Sequence, residues 1–307
     1  MRIAVTGKHG QVVSSLVERA CNRNVEIIKL GRPEFDLLEP AGFKEAIFRM
    51  TPDVIVSAAA YTAVDKAESD EDSAFAINGR GPRALAEVAK LAGIPIIHIS
   101  TDYVFSGDKD GRYFETDAAD PISVYGRSKL DGEIGISEAN PDHAILRTAW
   151  VYSPFGQNFL KTMLRLAETR DVVNVVSDQY GTPTSALDIA DAILYASEQL
   201  MRDTDQRLRG IFHLTGGGEA SWADFAEVIF DTFAEKTGKK VAVNRITTRE
   251  YPTSAKRPFN SRLSGDKLSD VYGIKLPQWE ISARAVARRL LALDQSHGGA
   301  QQTLQTK

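Results

Sequence analysis

The chain is poor in the features that mark several classes of protein. Cys21 is the one cysteine among 307 residues, so no disulfide can form within the chain and no zinc site can be built from several cysteines. We expect Cys21 to be a small packing residue late in a helix and not a reactive thiol. The 37 basic and 41 acidic residues leave a formal net charge of −4, which gives none of the basic surface typical of nucleic-acid-binding proteins.

Long apolar runs are also missing. No stretch approaches the roughly 18 consecutive apolar residues that span a bilayer, and the opening residues MRIAVTGKHG lack the basic and apolar regions of a signal peptide. With 43% hydrophobic and 25% charged residues, the composition is typical of a globular domain. We therefore expect a cytoplasmic protein that binds neither nucleic acid nor membrane.

Strand-like and helix-like segments alternate through the first 150 residues. Short apolar runs predict strands at residues 3–5, 25–30, 53–57, 94–99 and 144–147. The segment from Ser69 to Ala92 predicts one long helix. Apolar strands separated by helices are typical of a parallel sheet covered on both faces, and right-handed crossovers then give a doubly wound (Rossmann) α/β fold.

After Trp150 the pattern becomes less regular, and Ser221 is the clearest helix N-cap in this part of the chain. We expect residues 1–150 to form a nucleotide-binding Rossmann domain, to which segments within 172–217 return. Residues 151–295 should then form mainly a smaller C-terminal α/β lobe that binds substrate. The tail, residues 296–307, is expected to be disordered.

Two glycines, Gly7 and Gly10, separate the first predicted strand from the first predicted helix. Glycine here lets a dinucleotide pyrophosphate approach the backbone, and the helix N-terminus beyond it offers free N–H donors. The spacing is GxxG and not the full GxGxxG, so the indication comes from its place in the βαβ unit. Arg32 stands where an acid would bind a ribose hydroxyl. It favours the 2′-phosphate of NADPH, with NADH as a second candidate, unless Arg32 is a solvated loop cation.

Tyr125 and Lys129 form a YxxxK pair on a predicted helix, so both side chains lie on one face. A nearby ammonium favours tyrosinate and would bring the pKa of the phenol closer to neutral pH. Thr101 ends the fourth predicted strand, and ligands of open parallel sheets bind beyond the carboxyl ends of the strands. Hydroxyl, phenol and amine therefore converge on one crevice, where they are suited to reducing a carbonyl.

This order of motifs resembles the extended short-chain dehydrogenase/reductase superfamily, with Thr101, Tyr125 and Lys129 matching its catalytic triad. Longer blocks resemble the dTDP-4-dehydrorhamnose reductase family, at residues 58–68, 100–105, 158–159, 178–184 and 257–263. The resemblance runs from the first residue to about residue 290. It implies NADPH-dependent reduction of the 4-keto group of dTDP-4-dehydro-L-rhamnose, and so a place in dTDP-rhamnose supply for surface polysaccharides.

The resemblance also implies roles for individual residues. Tyr125 would give a proton to the ketone oxygen, Thr101 would polarise the carbonyl, and Lys129 would bind the nicotinamide ribose and tune the tyrosine. Together with Gly7 and Arg32, the expected cofactor-binding residues are Gly10, Gln11, Val12, Asp36, Leu37, Ala60, Tyr61, Thr62, Ile99, Tyr125 and Lys129. The expected substrate-binding residues are Val64, Thr101, Asp102, Trp150, Arg257 and Arg262, the two arginines as candidates for the diphosphate.

No metal site is expected. Some members of the resembled family are Mg²⁺-bridged dimers held through glutamates, but Leu187 occupies one of those places, next to Asp188, and leucine offers Mg²⁺ no oxygen. A bound Mg²⁺ is therefore doubtful, and the chain is expected to be a monomer or a homodimer. His98, His143 and His213 lie in or beside apolar strands and are expected to be buried, hydrogen-bonded histidines.

Three alternatives remain open. A reductase of another dTDP-4-keto-deoxysugar would differ at few pocket residues. The same blocks also resemble the regulatory β subunit of methionine adenosyltransferase, a binding partner that keeps the nucleotide site; residues 62–68 and Trp150 favour the reductase. An epimerase or dehydratase of the superfamily would retain NAD⁺. Dehydratases usually carry Asp-Glu after the threonine, where this chain has Asp102 and Tyr103.

Overall fold

The computed structural model describes the backbone of residues 1–302 and the side chains of residues 1–293. Its strands are β1 (Arg2–Thr6), β2 (Glu26–Leu30), β3 (Val54–Ser57), β4 (Ile96–Thr101), β5 (His143–Thr148), β6 (Val151–Tyr152), β7 (Val172–Val176), β8 (Tyr180–Gly181), β9 (Thr184–Ser185), β10 (Gly210–His213), β11 (Ala220–Ser221), β12 (Ala242–Ile246) and β13 (Asn260–Ser261). Its helices are α1 (Gln11–Ala20), α2 (Phe43–Met50), α3 (Val64–Ala67), α4 (Glu71–Phe75), α5 (Gly81–Ala92), α6 (Val124–Ala139), α7 (Phe159–Thr169), α8 (Ala186–Arg202), α9 (Trp222–Thr237), α10 (Asp266–Tyr272) and α11 (Trp279–Gln302).

Six strands form one parallel sheet in the order β2-β1-β3-β4-β5-β10. The chain moves outward in one direction from β1 to β2 and in the other from β3 to β10. The predicted doubly wound α/β (Rossmann) fold is therefore confirmed. A reversal of strand order, here between β1 and β3, opens a crevice for ligands beyond the carboxyl ends of the strands.

Helices cover both faces of this sheet. Ile3 and Val5 of β1 lie in one core with residues of α1 and α8, whereas Ala4 lies in a second core with residues of α2, α5 and α6. The alternation follows from the period of two residues in a strand. Because both faces are buried, these strands read as continuous apolar runs in the sequence.

The helix predicted from Ser69 to Ala92 is divided into two. Five residues of π-helix, Ala76–Arg80, separate α4 from α5. Asn78 in this turn is fully buried, and π-helical turns inside helices frequently occur at functional sites. An apolar pattern does not reveal such a turn, because the helix continues on both sides of it.

The C-terminal lobe has a core of its own and is α/β, as predicted. In it β7 pairs with β12, and β8 pairs with β11 and β13. Helices α7, α9 and α11 supply most of its buried residues, and Leu187 lies among them. As predicted, Ser221 caps α9; its side chain and that of Asp224 form a reciprocal capping box.

Several later segments pack with the parallel sheet and not with this lobe. β10 is its edge strand, and Leu268 and Tyr272 of α10 share a core with residues of α8. The backbone of α11 continues to Gln302, across part of the tail that begins at residue 296, and residues 303–307 lie outside the described residues. Within residues 1–302, no helix is both long enough and apolar enough to cross a membrane.

Cys21 does not fill a gap in the core. It follows the last residue of α1 and is exposed, and its thiol donates to the Val17 carbonyl at 3.2 Å. The packing role expected for it is wrong, because this end of α1 faces solvent.

Candidate active site

A cleft of about 370 Å³ opens at the carboxyl ends of β1 and β3. Five of the residues predicted to bind the cofactor line it: Gly7, Arg32, Asp36, Leu37 and Ala60. Lys8 and His9 also line it, and Lys8 forms an ion pair with Glu34 at 2.6 Å. The cleft therefore lies at the reversal of strand order, where this fold binds ligands.

Gly7 and Gly10 contribute to the cleft in different ways. Gly7 has a φ of +103°, a backbone conformation that side-chain-bearing residues rarely adopt. Gly10 is the N-cap of α1 and has no side-chain cap, so the first N–H groups of the helix remain available to an anion. The side chain of Gln11 is used elsewhere: its Oε1 accepts from Ser153 Oγ and Asn158 Nδ2, both at 2.9 Å.

Residues 60–62, expected beside the nicotinamide, are held by Asn78, which the sequence analysis did not single out. Asn78 Oδ1 accepts from the Tyr61 N–H at 2.7 Å, and Asn78 Nδ2 donates to the Tyr61 carbonyl and to Ser128 Oγ. Ser128 in turn donates to the Tyr125 carbonyl at 2.8 Å. Asn78 thus joins the predicted cofactor segment to α6. The feature that identifies Asn78 as a functional candidate is its position in a π-helical turn, and this feature is visible only in the structure.

Tyr125 lies in the first turn of α6, next to the end of β4. Ser123 caps this helix by accepting from the Gly126 N–H at 3.1 Å. A Cβ on Gly126 would lie 2.2 Å from the Tyr103 carbonyl oxygen, so glycine permits this close approach. The Tyr125 side chain lies beside that of Thr101, and its ring meets Tyr103 edge-on at 5.5 Å between centroids.

Lys129 points into the protein and is 2% exposed. Its amine donates to the Ile99 carbonyl at 2.7 Å and lies 2.9 Å from His98 Nε2. Burial lowers the pKa of Lys129 to about 8, whereas burial raises the pKa of Tyr125 above its usual range. The expectation that Lys129 lowers the pKa of the phenol is not met, because desolvation dominates at Tyr125 and the amine is directed towards His98 and Ile99.

Asp102 follows Thr101 at the end of β4. Thr101 Oγ1 donates to Asp102 Oδ1 at 2.9 Å, whereas Asp102 Oδ2 has no hydrogen-bond partner among the described residues. Asp102 is 3% exposed, and burial raises its pKa to about 6. Ser261 of β13 lies near this carboxyl, so the sheet and the lobe approach each other here.

Trp150 follows β5 with a φ of +48°, which is uncommon for a residue with a large side chain. Its indole stacks on that of Trp222, with 3.6 Å between ring centroids and 8° between planes. A Cβ on Gly181 would lie 2.4 Å from Trp150 Cε2, so the glycine of the 178–184 block is needed for this placement. Trp222, the first residue of α9, is therefore the packing partner of Trp150.

The two candidate arginines are both engaged. Arg257 pairs with Asp65 at 2.9 Å and lies close enough to Tyr103 for its charge to act on that phenol, which places it in the neighbourhood of Tyr125. Arg262 donates to Asn260 Oδ1 at 2.8 Å and lies 5.7 Å from the Tyr180 ring centroid. Asp65 belongs to the 58–68 block, so the sequence analysis identified its segment as part of the family resemblance. The contact between Asp65 and Arg257 could not be predicted from it.

The other residues and cavities considered from the sequence have the following positions. Val64 is partly exposed at the first residue of α3. As expected, His98 and His143 are buried and hydrogen-bonded. His213 is buried, but neither of its ring nitrogens has a hydrogen-bond partner among the described residues, so that part of the expectation is wrong. A second cavity, of about 390 Å³ beside His213 and residues 216–218, contains none of the predicted site residues. Five predicted residues line the β1–β3 cleft instead, and Thr101 and Asp102 lie at the carboxyl end of β4.

The chain is similar in sequence and in fold to known proteins. The family model described as the RmlD substrate binding domain matches residues 1–292. A dTDP-4-dehydrorhamnose reductase of Sinorhizobium fredii is 54% identical over 291 residues, which are 95% of this chain and 98% of that protein. A Clostridium acetobutylicum dTDP-4-dehydrorhamnose reductase superposes with a TM-score of 0.87 at 38% identity, covering 94% of this chain and 99% of the other.

A second solved relative bears on the cofactor. The Bacillus anthracis dTDP-4-dehydrorhamnose reductase, solved in complex with NADP, superposes with a TM-score of 0.86 at 33% identity. The match covers 93% of this chain and 98% of that one. The resemblance inferred from the sequence motifs is confirmed. The chain belongs to the dTDP-4-dehydrorhamnose reductase family and is an oxidoreductase.

Proposed function

We propose that the chain reduces the 4-keto group of dTDP-4-dehydro-L-rhamnose to the alcohol with NADPH, and that Tyr125 donates the proton. The observation that carries the proposal is the placement of Tyr125, in the first turn of α6, beside Thr101 at the carboxyl end of β4. A ketone bound beyond this strand end, where such folds bind ligands, would lie within reach of the phenol.

The residues around the β1–β3 cleft fit a phosphorylated dinucleotide. Gly7 presents backbone without a Cβ, α1 presents free N–H groups, and Arg32 lines the cleft. A guanidinium at that place suits the 2′-phosphate of NADPH, and the Bacillus anthracis relative is solved with NADP. When bound, the reduced nicotinamide supplies the hydride for the sugar C4.

The phenol is in the form that the proton transfer requires. Because burial raises the pKa of Tyr125, the hydroxyl keeps its proton at neutral pH and can release it to the oxygen of a ketone as that oxygen gains charge. Thr101 lies beside the phenol and donates to Asp102, so in this arrangement it helps to orient Tyr125. Thr101 polarises the ketone itself once its own proton turns from Asp102 to the substrate.

The lobe would hold the rest of the nucleotide sugar. Trp150 offers a flat apolar surface fixed by Gly181 and Trp222, which suits a deoxysugar ring. Arg257 is the better candidate for the diphosphate because it lies close to Tyr103 beside Tyr125. Arg262 is held by Asn260, whose side chain also donates to the Lys109 carbonyl, an arrangement that supports the loop.

The direct test is the loss of NADPH absorbance when the purified chain meets dTDP-4-dehydro-L-rhamnose. We expect one NADPH oxidised per dTDP-L-rhamnose formed, with the product identified by mass and by its sugar NMR spectrum. The competing substrate is dTDP-4-keto-6-deoxyglucose. If the chain reduced this compound faster, the proposed substrate would be wrong and the chain would be a reductase of another dTDP-4-keto-deoxysugar. Nucleotide binding without oxidation of either substrate would instead support a regulatory role.

A further inference from the structure

The buried amine of Lys129 has two acceptors, and one of them is an imidazole. Besides the Ile99 carbonyl at 2.7 Å, the amine lies 2.9 Å from His98 Nε2. His98 is fully buried in β4, where it is aligned with Ser57 of β3 and Ile145 of β5. Its Nδ1 lies 3.1 Å from Ser57 Oγ. Lys129, His98 and Ser57 therefore form a hydrogen-bonded row that runs from α6 into the sheet.

The close packing of α6 on β4 makes this row possible. A Cβ on Gly132 would lie 2.1 Å from the Asn78 carbonyl oxygen and 3.7 Å from His98 Nε2. Glycine at this position therefore lets the helix approach the sheet closely enough for a lysine one turn earlier to reach the histidine.

The other charged groups around Lys129 are already engaged. Glu133, one turn later on α6, is paired with Arg147 of β5 at 2.6 Å and accepts from Ser100 Oγ at 2.5 Å. Tyr125, one turn earlier, lies beside Thr101. The ammonium therefore contacts two neutral acceptors, the Ile99 carbonyl and His98, while Glu133 favours its charge from a distance.

The same contacts define the state of the ring. Burial and the neighbouring ammonium hold the pKa of His98 well below its usual range, so the imidazole is neutral. An ammonium has donors and no acceptor, so Nε2 must offer its lone pair to Lys129. The ring proton then lies on Nδ1 and is donated to Ser57. Ile99 and His98 occupy two of the three N–H groups of Lys129, which leaves one for a ligand or for the phenol.

We propose that His98 is a positioning residue for Lys129: its neutral Nε2 accepts from the ammonium, keeps it charged inside the protein and directs the remaining N–H towards the crevice. The inference rests on the proposed function in assigning Lys129 to the cofactor and the tyrosine. It goes further by making a histidine of the apolar sheet part of the reductase machinery.

Two substitutions of similar volume separate this role from packing. In His98→Gln the amide oxygen reaches as far as Nε2 and can accept from Lys129. In His98→Asn the side chain reaches Ser57 but stops short of Lys129. Wild-type kcat/KM should fall on the alkaline side as Lys129 loses its proton, whose pKa burial sets at about 8. Loss of an acceptor disfavours the charged amine, so in His98→Asn this fall should move at least one pH unit lower.

The pH profile of kcat/KM, measured for both variants and the wild type, decides between the two roles. At pH 9 we expect His98→Asn to be about tenfold slower than the wild type and to recover towards acid pH, with His98→Gln within about threefold of the wild type, the loss set by the shifted Lys129 ionisation. An unshifted alkaline limb in His98→Asn, or an equal loss in both variants at every pH, would show that His98 only fills space.

Two further measurements do not depend on turnover. Long-range ¹H–¹⁵N NMR of the wild type should show one histidine, absent from His98→Gln, that stays neutral with its proton on Nδ1 from pH 5.5 to 9. A charged ring or a proton on Nε2 overturns the proposal. If the wild type binds NADPH but reduces neither dTDP sugar, the proposed function fails. The pH dependence of NADPH affinity, compared between the Asn and Gln variants, then still tests His98.

Discussion

At the β1–β3 end of the crevice the walls are backbone and partly exposed side chains, whereas at the β4–β5 end they are buried side chains bonded to one another. The first end contains Gly7 and the exposed Arg32 around an open cleft. The second contains Thr101, Asp102 and Lys129, each no more than 6% exposed. The difference follows from the two tasks, because a dinucleotide needs room and N–H donors, while a proton transfer needs fixed groups.

The comparison predicts that substitutions at the two ends have separable effects. Changes at the β4–β5 end should alter chemistry, sugar binding or the pH dependence of stability while NADPH still binds. Changes at the β1–β3 end should alter cofactor affinity while the reaction of bound substrates continues. A variant that changed cofactor affinity and the chemical step equally would show that the two ends of the crevice do not act separately.

Tyr125→Phe should have the largest effect. It removes the proton donor and leaves the ring that packs on Tyr103, so kcat should fall by about 10²–10⁴, while the affinity for NADPH changes little. Stopped-flow turnover and fluorescence titration with NADPH measure the two quantities. Turnover near the wild-type rate would remove Tyr125 from the proposed mechanism.

Asp102→Asn should change how stability depends on pH. Burial raises the pKa of Asp102 to about 6 from about 3.9 in the unfolded chain. Ionisation is therefore harder in the folded state, and its cost grows between pH 4 and pH 6 to at most about 3 kcal/mol. The asparagine variant lacks this cost, so its free energy of unfolding relative to the wild type should rise by up to that amount from pH 4 to pH 7.

Urea unfolding at the two pH values measures this double difference for Asp102→Asn. Asp110→Asn, at an exposed position, is the matched control and should show no comparable change. A relative stability of Asp102→Asn that is the same at both pH values contradicts the prediction.

Gly181→Ala should weaken the sugar end of the site. The added Cβ would lie 2.4 Å from Trp150 Cε2, so the indole must shift, at a cost of about 1–2 kcal/mol. We expect KM for the dTDP sugar to rise about tenfold and NADPH affinity to stay unchanged. Gly42→Ala is the control, since an added Cβ there has nothing within 4 Å. Equal KM values in the two variants would show that Trp150 does not contribute to sugar binding.

Arg32→Ala should have the smallest effect, and at the opposite end. Losing one charge-assisted contact to a phosphate should lower the preference for NADPH over NADH by about tenfold and leave Tyr125 chemistry intact. The ratio of kcat/KM for the two cofactors measures it, with Arg49→Ala on the exposed side of α2 as the control. An unchanged ratio would show that Arg32 is a solvated loop cation that does not bind the 2′-phosphate.

Motifs made of local sequence were predictable, and contacts between distant segments were not. The GxxG loop and Ser221 could be placed from the sequence because a strand, a turn and a helix N-cap depend on neighbouring residues. Asn78 was missed because its value lies in bonds to Tyr61 and Ser128 across 17 and 50 residues. The lowered pKa expected for Tyr125 was wrong because a YxxxK spacing gives the distance along a helix but not the depth of burial.

By itself the sequence determined that apolar strands alternate with helices, that glycines follow the first strand, and that a phenol and an amine share one helical face. These are local properties, set by periodicity and by the size of single residues. Only the tertiary structure decided that the amine of Lys129 turns to His98, that Trp150 rests on Trp222, and that Asp102 is buried and donated to by Thr101. Desolvation and hydrogen bonding act between segments that packing alone brings together, so no spacing along the chain could specify them.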